Sequence, residues 1–147
     1  MKLNGQMWVN GMSSGKQLKK SNLKVVIIGF GSIGSKHHSY LKNRPEVAKI
    51  AILSSRSKDE LPEMKLEKFE DVKKFDPDIL YICNQTSKHE LELSRIEKNF
   101  SKKIIIIEKP LSNNYINLDL YKLNKYFVGY NLRSVSYTHL RAHETVS

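Results

Sequence analysis

The sequence holds one cysteine, Cys83, in 147 residues. A single thiol cannot build an intrachain disulfide framework or a thiolate zinc cluster, and its place inside an apolar run marks it as a core thiol. No stretch of about 18 consecutive apolar residues occurs, so no segment reads as a membrane span and no membrane partner is expected. The longest apolar runs, residues 25–28 and 104–107, have the length of buried strands. The start of the chain lacks the apolar core of a secretory signal, since Lys2 is followed by Asn4, Gln6, Asn10, Ser13 and Ser14. The cytoplasm is the expected compartment. Residues 1–24 also lack acidic side chains while carrying Lys2, Lys16, Lys19, Lys20 and Lys24, five of the formal net charge of +10. What remains is mildly basic, without basic residues gathered among aromatic platforms or on a recognition helix, so no nucleic-acid partner is expected. Internal repeats and low-complexity tracts are absent.

With 39% hydrophobic and 27% charged residues, the composition is that of an ordinary soluble domain. The length suits one such domain. Residues 1–22 mix Gly, Ser, Asn and Lys without a period and read as a flexible basic leader. From there strand-like and helix-like stretches alternate. Residues 24–28, 47–53, 64–66, 78–83, 104–107 and 126–130 read as strands. Residues 32–43, 69–75, 87–99 and 112–124 read as helices, the third on Leu91, Leu93 and Ile96 and the fourth on Ile116, Leu120 and Leu123. Such alternation predicts an α/β fold: a doubly wound, Rossmann-type parallel sheet of about six strands with helices on both faces, over residues 23–133. Residues 134–147 show no period or apolar face and read as a non-native or disordered tail. Within it, residues 135–144 resemble a translated sequencing-library transposase adapter, which implies that the natural protein continues beyond this point.

Gly29-Phe30-Gly31-Ser32-Ile33-Gly34 follows the first strand directly and opens the first helix, the context in which G-x-G-x-x-G binds a dinucleotide. The first glycine permits a tight turn, the second lets backbone approach a pyrophosphate, and the third lets helix and strand pack closely. The phosphates then meet the amides and positive dipole end of the helix. An acid on the ribose hydroxyls is expected at the end of the second strand of an NAD site, and it is missing. Ser54, Ser55 and Arg56 stand there instead, a set suited to a 2′-phosphate, so NADP is favoured over NAD. Charge-assisted bonds of roughly 1.5–3 kcal/mol each are enough for tenfold discrimination.

The glycine fingerprint, the run 78–86 leading to His89, the Glu108-Lys109-Pro110 triplet and Gly129-Tyr130-Asn131-Leu132-Arg133 together resemble the Gfo/Idh/MocA oxidoreductases, over residues 24–133. The resemblance implies hydride transfer between a nicotinamide cofactor and a sugar, cyclitol or related hydroxyl or carbonyl compound. It implies cofactor contacts from Asn84, Gln85, Thr86 and His89. It places Lys109 at the nicotinamide and the substrate hydroxyl as the catalytic lysine, Glu108 beside it as an orienting or cofactor-binding residue, and Pro110 at the turn with a cis bond. An ammonium at the carboxyl edge of a parallel sheet is chemically suited to polarising a carbonyl or holding an alkoxide. The resemblance implies that the catalytic histidine and substrate contacts come from a second domain, through which family members usually associate, so this chain alone is expected to lack activity and its parent protein to be able to form oligomers. A stand-alone nucleotide-binding regulatory module is the alternative, though it has no need of the triplet. Of the histidines in the first helix, one is expected to pack near the first strand's turn and the other to face water. His139 and His143 have a metal-like spacing but lie in the tail, and no metal site is expected.

Overall fold

In the computed structural model, which describes residues 22–129, the apolar runs become β1 (Leu23–Ile28), β2 (Val47–Leu53), β3 (Met64–Leu66), β4 (Ile79–Ile82), β5 (Ile104–Ile107) and β6 (Lys125–Val128). The helices between them are α1 (Ser32–Leu41), α2 (Phe69–Phe75) and α3 (His89–Asn99). The leader, the residues from Tyr130 onward, and the His139 and His143 pair lie outside the described residues, apart from Asn22.

All strand pairs are parallel, in the order β3-β2-β1-β4-β5-β6. A parallel sheet needs cover on both faces, which is why its central strands are continuous Val and Ile runs without polar alternation. One face packs Val26, Ile82 and Ile105 against Val72 of α2 and Leu93 and Ile96 of α3; the other packs Ile27, Ile52 and Tyr81 against Leu41 of α1. The six-strand doubly wound expectation is therefore met. Strand order steps outward in opposite directions from β1 and β4, and ligands bind at such a switch point beyond the carboxyl ends. Register makes that edge level: Ile28 pairs with both Leu53 and Ile82, and Ile82 pairs with Ile107.

The helix expected over residues 112–124 is a correction. Only a single 3-10 turn, Leu118–Leu120, forms there, and Leu120 and Leu123 are 68% and 55% exposed. The cause is local and tertiary competition for the backbone. Ser112 Oγ accepts from the Asn114 amide at 3.0 Å and Asn117 Oδ1 from the Asp119 amide at 3.1 Å, bonds that favour turns over helix. Farther on, Glu97 of α3 accepts from the amides of Lys122 and Leu123, both at 2.8 Å, and from Asn124 and Tyr126. A second correction concerns Leu91, which is 59% exposed while Leu93 and Ile96 are buried.

Glu97 thus staples the irregular approach to β6. Burial pushes its carboxyl upward, but the hydrogen bonds from Tyr126, Leu123, Lys122 and Asn124 together outweigh burial and hold it below its ordinary 4.5. A depressed folded-state value stabilises fully above the unfolded value, and that stabilisation is lost as pH falls through the folded one. Glu97→Ala is expected to cost about 2 kcal/mol in urea denaturation at pH 7, with the gap to the parent closing below pH 4.5. A gap that stays constant down to pH 3 would contradict this account.

Candidate functional site

The ladder hydrogen bonds run one residue past each strand. Gly29 donates to Leu53, Cys83 to Ile28, Glu108 to Ile82 and Gly129 to Ile107, at 2.8, 2.8, 3.2 and 2.8 Å. Four chain segments therefore leave the sheet from one stiff edge.

The three fingerprint glycines have different physical reasons. Gly29 has φ +91°, and a Cβ on it would lie 2.7 Å from the Asn84 backbone, so the β1 exit can press against the β4 exit. Gly34, in the first turn of α1, carries its missing Cβ 2.3 Å from the Gly29 carbonyl oxygen. Gly31 is unlike both. Its φ of −94° and ψ of −150° are extended and do not call for glycine, and among the described residues no atom would lie within 4 Å of a Cβ there. The described residues give no reason for glycine at this position. The space that a side chain would fill opens in front of α1, which has no side-chain cap and no acid in its first turn.

That space continues into a cleft of about 700 Å³. One wall is Gly29, Phe30 and Gly31, the next is Ser54, Ser55 and Arg56, and the floor holds Asn84 and Gln85. Eight of the residues expected at a cofactor site are thus brought together. The remaining wall, from Glu67, Lys68 and Phe69 at the start of α2 and from Lys88, Leu91, Glu92 and Arg95, was missed from sequence. A signal existed: positions 88, 91, 92 and 95 share one helical face. The same spacing explains Leu91, which faces the cleft instead of the core.

The lining is electropositive, with Arg56, Lys68, Lys88 and Arg95 against Glu67 and Glu92. Glu92, 3% exposed, is paired with Arg95, whose guanidinium lies over the Phe69 ring at 4.5 Å. Arg56 is half-exposed and reaches Glu60 at 3.6 Å, while its amide donates to Ser54 Oγ at 3.2 Å. Hydrogen bonds from the Ser57 side chain and backbone hold the Glu60 carboxyl below its ordinary value, with Arg56 adding to the effect.

Other expected site residues stand apart from the cleft wall. Ser32 and Ile33 open α1 and are exposed. Thr86 begins a 3-10 turn. His89 is 1% exposed, with Nε2 3.0 Å from the Asn84 carbonyl and Nδ1 3.1 Å from that of Pro110. It clamps the loop after β4 to the loop after β5 and does not face the cleft. The Lys109–Pro110 bond is cis. Lys109 is exposed, and its stem crosses Gly129, where a Cβ would stand 2.6 Å from Cγ and Cε. Glu108 turns the other way, to His37 Nε2 at 3.0 Å. Both α1 histidines point inward, against expectation: His37 packs on Tyr81 and reaches Glu108, and His38, 6% exposed, reaches Glu63 at 2.6 Å. Carboxylates from distant segments, invisible in the local pattern, draw them in. Burial, with Glu108 nearby, pushes the Cys83 thiol far upward, although the residue is only partly buried and lines the cleft, short of the core position expected of it. Among the described residues no group of His, Cys, Asp and Glu could hold a metal, and no helix is long and apolar enough to cross a membrane.

Residues 23–120 match the family described as an oxidoreductase family with an NAD-binding Rossmann fold, Gfo/Idh/MocA. No curated protein matches the chain. Among solved structures, scyllo-inositol dehydrogenase from Lactobacillus casei is 18% identical with a TM-score of 0.61, over 88% of this chain and 42% of that one. A probable dehydrogenase from Thermotoga maritima is 26% identical with a TM-score of 0.53, over 63% of this chain and 29% of that one. The WlbA dehydrogenase from Bordetella pertussis, solved with NADH and UDP-GlcNAcA, is 12% identical with a TM-score of 0.55, over 66% and 31%. The chain spans less than half the length of each of these relatives.

Proposed function

Since the chain belongs to the Gfo/Idh/MocA oxidoreductases, with their NAD-binding Rossmann domain over residues 23–120, we propose that its cleft holds a nicotinamide dinucleotide for hydride transfer to or from a sugar-like hydroxyl or carbonyl carbon. The observation that carries this reading is Gly31, a glycine that neither backbone angle nor neighbouring protein atoms require, at the mouth of an uncapped helix. A bound pyrophosphate explains it: any Cβ would occupy the space where phosphate meets the α1 amides.

In this proposal Gly29, Phe30, Gly31, Ser32, Ile33 and Gly34 form the phosphate turn. Asn84 and Gln85 line the path toward the nicotinamide, and Thr86 and His89 shape that loop from behind. Ser54, Ser55 and Arg56 receive the adenosine ribose, and NADP is preferred because a guanidinium and two hydroxyls replace the usual acid. The electropositive lining supports an anionic occupant. When bound, the nicotinamide supplies or accepts the hydride. Lys109 holds the substrate oxygen, its ammonium stabilising negative charge there. Pro110 fixes the turn, and Glu108 is bound to His37 of α1 and not to the lysine. The scyllo-inositol and UDP-GlcNAcA relatives support a sugar or cyclitol substrate. We further propose that the 147-residue chain binds cofactor without turning substrate over.

Calorimetric titration tests the cofactor reading. NADPH is expected to bind about tenfold tighter than NADH, a difference of about 1.4 kcal/mol. Arg56→Ala should remove that preference and change NADH affinity less than twofold. Equal affinities in the parent would overturn the NADP assignment, and binding of neither would overturn the site.

A further inference from the structure

Glu108 immediately precedes the lysine that the proposed reaction depends on, yet its carboxylate is held elsewhere. Its Oε1 lies 3.0 Å from His37 Nε2, whereas among the described residues no carboxylate lies within ion-pair distance of Lys109. His37 is well fixed for this task. It follows Gly34 by three residues in α1, its ring packs on that of Tyr81 at a centroid distance of 4.8 Å, and its side chain is 12% exposed. Tyr81 itself is fully buried in β4. Gly129 completes the separation by letting the Lys109 stem lie across the end of β6.

A partly buried carboxylate takes the strongest donor within reach, because leaving it unpaired is costly. Without the imidazole, the nearest cation on the same loop is the Lys109 ammonium. Opposite charges in contact attract in water, and more strongly at a half-buried edge. Such a pair would neutralise the charge meant for the substrate.

We propose that His37 is a positioning residue: by holding the Glu108 carboxylate against α1, it keeps Lys109 free of its own neighbour and available to a substrate oxygen. The inference rests on the reading of Lys109 as the substrate-facing lysine, but the separation of Glu108 from Lys109 can be tested without turnover.

The test is trace acylation of the full chain with acetic anhydride at pH 8, with peptide mass spectrometry giving the rate at each lysine. His37→Phe keeps an aromatic ring on Tyr81 and removes the nitrogen that meets Glu108. An ion-paired ammonium reacts slowly, so this variant is expected to slow Lys109 about fivefold, with Lys49 and Lys125 unchanged as internal references. Adding Glu108→Gln should restore the rate, which a general loosening of the fold would not do. His37→Gln, whose amide can donate to Glu108, should keep the parent rate and serves as the second variant should His37→Phe fail to melt cooperatively. An unchanged Lys109 rate in His37→Phe, no restoration in the double variant, or a slowed Lys109 in a folded His37→Gln overturns the proposal. NADH titration of the parent, run alongside, separates the two readings: absent binding with the expected acylation pattern rejects the cofactor site while the separation of Glu108 from Lys109 by His37 stands.

Discussion

Gly34→Ala is expected to cost about 3 kcal/mol and lower the melting temperature by roughly 15 °C. On helix propensity alone the change would be favourable by nearly 1 kcal/mol, since alanine outranks glycine inside a helix. The packing cost reverses the sign. The new methyl would sit 2.3 Å from the Gly29 carbonyl oxygen, with Ile27 Cγ2 at 3.4 Å behind it. Neither side can yield cheaply: the oxygen belongs to a turn whose own glycine, at φ +91°, presses on the Asn84 backbone. Relief requires α1 to lift off β1, which also opens the contact of Leu41 with its core cluster. Thermal denaturation followed by circular dichroism measures this, and a variant as stable as the parent would show that α1 packs differently.

Gly31→Val separates binding from folding. Its φ is negative and its backbone extended, and among the described residues no atom stands within 4 Å of the new Cβ, so stability should stay within about 0.5 kcal/mol of the parent. Dinucleotide affinity should fall at least about 100-fold, because two or more backbone bonds to phosphate, roughly 1.5–3 kcal/mol each, become inaccessible. Calorimetry with NADH and NADPH gives the answer. Parent-like affinity in a folded Gly31→Val would mean that the glycine turn does not receive phosphate, and the proposed function would lose its main support.

The strands and the glycine turn were legible because their causes are local. Runs of Val and Ile fit a sheet covered on both faces, and a fingerprint between a strand and a helix has few other uses. Ser54 and Arg56 in the cleft wall were legible for the same reason, since they lie just beyond a strand, whereas Asn84 and Gln85 were implied only by the family resemblance. Local evidence failed where a distant side chain decided the outcome. Leucines at 120 and 123 have helical spacing, but the Glu97 carboxylate, more than twenty positions earlier, claims the amides that such a helix needs. His37 and His38 look like one buried and one solvated residue until Glu108 and Glu63 are seen to meet them. Arg95 and Glu92 were overlooked for another reason. Apolar periodicity marks only the core face of α3, and its polar stripe carries the far wall of the cleft.

The placing of β1 between β2 and β4 has a consequence for biosynthesis. As the chain leaves the ribosome, β1 can pair with β2 once residue 53 is free, but its other edge waits until residue 82 has emerged. Through that interval the growing polypeptide presents an unpaired strand of Val and Ile, the kind of edge that recruits a neighbouring chain. Slower translation across residues 54–78 should therefore favour aggregation over soluble yield, and the same exposure then passes to the outer edge of β4 until residue 107 has emerged.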